Sequence, residues 1–368
     1  MKKVFALIMA VAMVFALVAC SAAPSATAAP AQEAAPAKAE AAPVKEETAP
    51  AASAPAELKP EDVTGNVMIY TSYVEEFIAE VVAKFNAKYP NAHAEYFRSG
   101  TEEVISKLNA ENMTNSIQAD IIMISDGPTL EGLKEQGLLQ TYSYSNKDNL
   151  YTQFDDPEEY YYGTFPGSMG IIYNTNLVSE APTSWWDLTK EACKGNVIMP
   201  NPLYSGTAAN MLLEFLQADN MGWDFYNALQ ANDVMIVNGN GGVINSVTSG
   251  EKAYGICYDA DSYTAKQNGS PVDFVYPVEG SPVTAEPVGI LTTTKNLEAA
   301  QVFVEFMLSD EIQTFGRDAY GRTPAVKSVP VAEGRVAVND RETMIHDAKA
   351  LYKSREEAKE KFAELFGF

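Results

Sequence analysis

The stretch Asn66–Glu102, NVMIYTSYVEEFIAEVVAKFNAKYPNAHAEYFRSGTE, decides the fold. Its first residues, Asn66–Tyr70, are a short apolar run that reads as a strand. After Thr71-Ser72, the apolar residues Val74, Phe77, Ile78, Val81, Val82 and Phe85 recur at helical spacing until Pro90 stops the pattern. A second strand spans Ala92–Phe97. In Ser99-Gly100-Thr101-Glu102 a serine stands three places before a glutamate, a capping box that opens a second helix. Ala119–Ile124 (ADIIMI) then reads as a buried strand ending at Ser125-Asp126, with a helix from about Thr129 to Gln136. Strand alternating with helix predicts an α/β fold with a parallel sheet and right-handed crossovers.

Downstream the alternation restarts. Met169–Tyr173 reads as a strand, Trp185–Ala192 as a helix and Asn196–Met199 as a strand, and Ser205-Gly206-Thr207 opens a helix running to about Gln217. Val234–Val237, Ala253–Cys257 and Val272–Tyr276 are further strands, and Glu286–Leu291 reads as a strand returned to the first set. Helices follow over Leu297–Leu308 and Asp310–Arg317, with a charged helical tail beyond Asn339. About 300 residues of this kind are too many for one small core and suit two lobes.

Upstream the chain changes character. Lys2 and Lys3 precede an apolar run, Val4–Ala16, that is too short to span a bilayer, and Leu17-Val18-Ala19-Cys20 closes it. This is the layout of a secretory signal over residues 1–19, and its end resembles a bacterial lipobox, with Cys20 as the acylated residue. From residue 20 to 59 the composition is Ala, Pro and Glu with no aromatic residue, too little to bury against the entropy of ordering. It reads as a proline-stiffened tether. The chain carries 26 Lys+Arg against 49 Asp+Glu, a net charge of −23, or −25 once the two signal lysines are removed. That balance argues against nucleic acid and anionic membrane as partners. Cys193 and Cys257 read as free buried thiols, a disulfide between them being the other reading, and no CxxC metal spacing occurs.

The phrases GSMGIIYNTNL, APTSWWDL and KGNVIMPNPLYSGTA within Gly167–Ala208 carry a resemblance. So do YTS at Tyr70–Ser72, SGEKAYGICYDAD at Ser249–Asp261, PVDFVYPVEGSP at Pro271–Pro282 and AAQVFVEFMLSDEIQ at Ala299–Gln313. Over about Asn66–Pro324 the chain resembles the type II solute-binding proteins of ABC importers, in the branch of ferric-ion, thiamine and phosphonate or sugar-phosphate binders. The resemblance implies a two-lobe periplasmic-binding-protein type II fold, each lobe a mainly parallel sheet flanked by helices, with the ligand in the cleft between them. The implied organisation is a first lobe from 60–162 and 283–330, a second lobe from 163–282, and a helical tail from 331–368. Crossings between lobes would fall near Tyr162–Thr164 and Tyr276–Val283.

In doubly wound sheets ligands sit beyond the carboxyl ends of strands, beside helix N-termini. That rule selects Thr71, Ser72, Ser99, Gly100, Thr101, Ser125, Asp126, Ser205, Gly206, Thr207, Tyr258, Asp259 and Asp261, with Asn240-Gly241-Gly242 as a weaker candidate. Ser205-Gly206-Thr207 combines backbone N–H groups, a glycine and two hydroxyls, an anion cradle that serves equally as an ordinary helix cap. The carboxylates of Asp126, Asp259 and Asp261 suit either a cation or a turn. Tyr73, Tyr204 and Tyr263 are candidates for the pocket wall or for rim packing, and Tyr160-Tyr161-Tyr162, at a crossing, reads as packing. The adjacent tyrosine pair of ferric binders is missing. If iron were bound, Asp126, Tyr258, Asp259, Asp261 and Tyr263 would be its oxygen donors, whereas neither His93 nor His346 is placed as a ligand. No GxSxG, HExxH or Walker sequence occurs.

The expectation is therefore a non-enzymatic, extracytoplasmic, lipid-anchored and monomeric solute-binding protein without cofactor. It would catch a small anionic or zwitterionic organophosphate or phosphonate for an ABC permease. Ferric iron and a polyamine- or thiamine-like cation are the alternatives. An extracellular enzyme on the same fold, or an adhesin with a vestigial cleft, are the rivals from other classes.

Overall fold

The computed structural model describes residues 59–368. The signal, Cys20 and the tether to residue 58 lie outside the described residues. The chain runs β1 (Gly65–Thr71), α1 (Glu75–Lys88), β2 (Ala92–Arg98), α2 (Thr101–Met113), β3 (Ile121–Met123), α3 (Gly127–Glu135), β4 (Leu139–Gln140) and β5 (Tyr161–Gly163). It continues through β6 (Gly167–Asn174), β7 (Val197–Pro200), α4 (Gly206–Gln217), α5 (Gly222–Ala231), β8 (Met235–Val237), α6 (Asn240–Ser249), β9 (Tyr254–Tyr258), α7 (Asp259–Gln267), β10 (Val272–Val275) and β11 (Ser281–Thr284). It closes with β12 (Pro287–Leu291), α8 (Leu297–Met307), α9 (Asp310–Tyr320), β13 (Thr343–Met344) and α10 (Ala348–Phe366).

These strands form two sheets, one in each lobe. The first has the order β2-β1-β3-β12-β4 with β5 paired to β12, and the second β13-β11-β6-β9-β7-β8 with β10 paired to β6. Both are mixed, less parallel than the sequence implies. β12 runs antiparallel to β3, β4 and β5 because it re-enters from the other lobe, and β6 runs antiparallel to β9, β10 and β11. Each lobe has its own aromatic core. In the first, Phe85 packs on Phe303 and Phe306; in the second, Trp185, Phe215 and Phe225 pack edge to face.

The chain passes between the lobes at Gly163–Gly167, again between Thr284 and Pro287, and a third time between Val329 of the first-lobe core and Thr343 of β13. The second passage falls later than the sequence reading put it, because Ser281–Thr284 pairs within the second sheet before the chain leaves. Tyr161 and Tyr162 flank the first passage and are buried there, their hydroxyls donating to Glu131 Oε1 (2.7 Å) and Tyr142 O (2.7 Å). Trp185–Ala192 is not an α-helix but a pair of 3₁₀ turns, Trp185–Thr189 and Glu191–Cys193. The turn is pinned by the buried Trp185 indole N–H, which donates to Gly280 O at 2.9 Å. Cys193 and Cys257 are buried and unpaired.

Candidate functional site

Three helices start at one place. Gly100, Ser205 and Gly239 are the N-cap residues of α2, α4 and α6, and all three line a cavity of about 110 Å³ between the lobes. The first lobe contributes Ser72 after β1, Arg98 at the end of β2, Gly100 and Thr101 at the start of α2, and Ser125 after β3. The second contributes Tyr204–Thr207 at the start of α4, Gly239–Gly241 at the start of α6, and Asp261 in the first turn of α7. A helix N-terminus leaves backbone N–H groups unbonded and carries about half a positive charge. Three of them aimed at one small space make it strongly attractive to an anion.

The side chains are set by short bonds. Ser205 Oγ accepts from Ala208 N (3.4 Å) and lies 3.0 Å from Thr207 Oγ1, which in turn accepts from Asn240 Nδ2 at 3.0 Å. Ser125 N donates to Ser72 Oγ (3.1 Å), and Ser125 Oγ donates to Glu286 Oε1 (3.1 Å). Arg98 Nε donates to Tyr73 O at 2.9 Å, which fixes the guanidinium at the cavity's edge. Two buried polar atoms among the lining residues have no protein partner: Thr101 Oγ1 and Asn240 Oδ1. A buried polar atom without a partner costs about 1–3 kcal/mol, a cost that a polar group entering the cavity would offset.

Two glycines let the lobes meet over this space. A Cβ at position 206 would lie 2.5 Å from Thr101 Oγ1 and 2.9 Å from Ser125 O, and one at position 100 would lie 2.6 Å from the Tyr204 ring. The lobes are therefore closed on one another here, glycine against hydroxyl and glycine against ring.

Of the residues selected by sequence, Ser72, Gly100, Thr101, Ser125, Ser205, Gly206, Thr207 and Asp261 come together around the cavity, and Tyr204 and, from the weaker candidate, Asn240 and Gly241 join them. The others lie behind it. Thr71 is fully buried, its hydroxyl accepting from Tyr73 N (3.1 Å). Ser99 does not cap α2: the N-cap is Gly100, and Ser99 Oγ bonds the Glu103 side chain instead, so the expected capping box does not form. Asp126 caps α3 through Thr129 N (3.2 Å) and pairs with Arg355. Asp259 is buried between Tyr276 Oη (3.0 Å), Arg335 Nη2 (3.0 Å) and Arg341 Nη2 (3.1 Å). Tyr258 donates to Phe165 O (3.1 Å), Tyr263 to Glu333 O (3.1 Å), and Tyr73 to Glu286 O (2.7 Å). Of the five oxygen donors considered for iron, Asp261 alone lines the cavity. Among the described residues no cluster of three or more His, Cys, Asp or Glu is placed to hold a metal ion.

Among the described residues Asp261, unlike Asp126 and Asp259, takes no salt bridge. Burial lifts its carboxyl to about 6, with Arg322 and Arg335 opposing the rise and Asp259 adding to it. Sequence reading missed Arg98 and undervalued Asn240. Arg98 ends β2 at its carboxyl end, where the same strand-end rule selects it; the N-cap of α6 is Gly239, which has no side chain to bond the first turn.

Two α/β lobes, crossed three times by the chain and closed over a polar cavity at converging helix starts, define a solute-binding protein of an ABC transporter. The comparisons agree. A family described as bacterial extracellular solute-binding protein matches residues 116–360, and the chain belongs to that family, which places it outside the cytoplasm. A probable ABC transporter periplasmic-binding protein of Sinorhizobium fredii is 27% identical over 255 residues, 65% of this chain and 69% of the relative. The spermidine/putrescine-binding periplasmic protein of Escherichia coli is 25% identical over 240 residues, 60% of this chain and 68% of the relative. In fold, the chain is similar to the periplasmic binding protein AfuA from Actinobacillus pleuropneumoniae, solved with fructose-6-phosphate, at a TM-score of 0.76 and 24% identity, covering 83% of this chain and 99% of that one.

Proposed function

We propose that this protein captures a small solute bearing a phosphate or phosphonate group and delivers it to an ABC permease, held at the membrane through a lipid on Cys20. The observation that carries the ligand class is the meeting of three helix N-termini, with the unpartnered Thr101 Oγ1 beside them, in a space of about 110 Å³. The anion would take the free N–H groups of α2, α4 and α6, the hydroxyls of Ser72, Thr101, Ser125, Ser205 and Thr207, and Arg98 at the edge. Charge-assisted bonds of this kind contribute roughly 1.5–3 kcal/mol each. Asp261, the one carboxylate in the lining, suits an ammonium or hydroxyl donor on the same ligand, which makes the solute a zwitterion or a hydroxylated phosphate.

The same aspartate favours a second reading, a polyamine-like cation, the ligand class named for the Escherichia coli relative. Against it stand the three positive helix ends and Arg98. Native mass spectrometry of protein purified without refolding, followed by calorimetric titration with inorganic phosphate, 2-aminoethylphosphonate and spermidine, decides between them. Binding of spermidine without either phosphorus compound would overturn the anion reading. The anchor has its own test: Cys20→Ser should release the protein from the membrane fraction or block its processing, and unchanged fractionation would remove the lipid from the account.

A further inference from the structure

Helix α10 belongs to both lobes. Leu351, Ala358 and Phe362 on one face are buried in the core of the second lobe, where the Phe362 ring sits 5.8 Å from that of Tyr226. Tyr352, Arg355 and Lys359 reach the first lobe instead. Tyr352 covers Gly132 of α3 so closely that no Cβ would fit there. Arg355, only 3% exposed, places Nη2 at 2.8 Å and Nε at 3.1 Å from Asp126 Oδ2, and its Nη2 also reaches Glu102. Lys359 Nζ lies 2.6 Å from Glu102 Oε2.

The two carboxylates so held have informative neighbours. Asp126 follows Ser125 directly and caps α3; Glu102 follows Thr101 directly in the first turn of α2. Ser125 and Thr101 are the first-lobe groups against which Gly206 of the second lobe closes. We propose that Arg355 is a positioning residue for the cleft. From a helix rooted in the second lobe it holds the two first-lobe segments bearing Thr101 and Ser125 in their closed placement, so that α10 ties the lobes together by side chains in addition to the three chain crossings.

The physical case rests on burial. A buried charge pair loses far more when one partner is removed than it contributes as a pair, because the remaining charge stays buried without compensation. Without Arg355, fully buried Asp126 faces that situation unless the first lobe moves and water enters, and motion of that kind opens the cleft. Arg355 and Lys359 together also offset the charges of Glu102, in the first turn of α2 at the cavity, and of Asp126 beside Ser125; left bare, these carboxylates would weaken the field that the helix ends supply. Arg355 holds the cleft in this way whichever ligand is bound.

The test therefore uses the unliganded full chain as Arg355→Gln, Arg355→Lys and Lys359→Gln. Small-angle X-ray scattering reads the separation of the lobes, and hydrogen exchange reads the segments 100–104 and 125–130. Arg355→Gln should raise the radius of gyration and speed exchange in both segments by about tenfold, whereas the interiors of β1 and β6 stay protected. Arg355→Lys, which keeps the charge but not the planar fork, should fall between it and the wild type. Lys359→Gln, at a more accessible site, should shift both readouts in the same direction by less, and serves if Arg355→Gln fails to fold. Unchanged scattering together with faster exchange confined to α10 and its contacts in the second lobe would overturn the proposal.

Discussion

Thr207 Oγ1 sits 3.0 Å from both Ser205 Oγ and Asn240 Nδ2, so one hydroxyl links the starts of α4 and α6 at the cavity wall. Thr207→Val removes that link and one ligand donor at nearly constant volume. By the usual worth of a charge-assisted bond, phosphate affinity should fall by roughly ten- to a hundredfold, measured by titration calorimetry. Asp261 makes a pH prediction. Its carboxyl, raised by burial to about 6, binds a proton in the folded state that the unfolded chain releases near 3.9, so its contribution to stability falls as pH rises between those values. For binding the sign depends on the ligand. Between pH 5 and 7 the wild type should lose affinity for inorganic phosphate relative to Asp261→Asn, because the newly formed carboxylate repels the anion. For 2-aminoethylphosphonate it should gain, because the ammonium is attracted. Taking the ratio to Asp261→Asn removes the titration of the phosphate itself, and a ratio flat with pH for both compounds would take Asp261 out of the site.

Among the elements, the starts of α2, α4 and α7 illustrate what a sequence shows and what it hides. Ser205-Gly206-Thr207 after the apolar run of β7 marks a helix start at a strand's carboxyl end, and the structure lines the cavity with it. Asp259 and Asp261 look alike in sequence, two carboxylates two positions apart. Both fall in the first turn of α7, yet one points back into the protein and the other lines the cavity. What separates them is Arg335 and Arg341, more than seventy residues downstream in a segment without periodic pattern, which folds back onto Asp259. Asp126 was hidden in the same way by Arg355. Local spacing locates helix starts; long-range ion pairs decide which acids are left for a ligand. It follows that Asp259→Asn should act on stability, leaving two buried guanidinium groups without their counterion at a cost of about 3–5 kcal/mol. A large drop in melting temperature with phosphate affinity kept at permissive temperature is the expected result. A large loss of affinity at unchanged melting temperature would return Asp259 to the binding site.

On the scale of the whole molecule, the net charge of −23 and the cavity's positive helix ends pull in opposite directions. An anion approaching this surface is repelled at long range and held only once the lobes close, because the attraction resides in backbone N–H groups whose field fades within a turn of helix. Capture must then depend on closure more than on electrostatic steering, and closure depends on Gly206. A side chain there would put its Cβ 2.5 Å from Thr101 Oγ1 and 2.9 Å from Ser125 O, contacts that only lobe separation relieves. Gly206→Val should leave each lobe's core intact, since the valine projects into the cleft and away from the packing of α4. In solution scattering Gly206→Val should show a larger radius of gyration than the wild type, with phosphate and without it. Its affinity should fall by more than that of Thr207→Val, because every cross-cleft bond is lost together. Salt makes the balancing test. If repulsion by the whole surface slows capture, raising ionic strength from 10 to 150 mM, which shortens the Debye length from about 30 to about 8 Å, should speed association of phosphate. Association slowed by salt would mean that a positive entrance overrides the acidic surface, and that steering rather than closure governs capture.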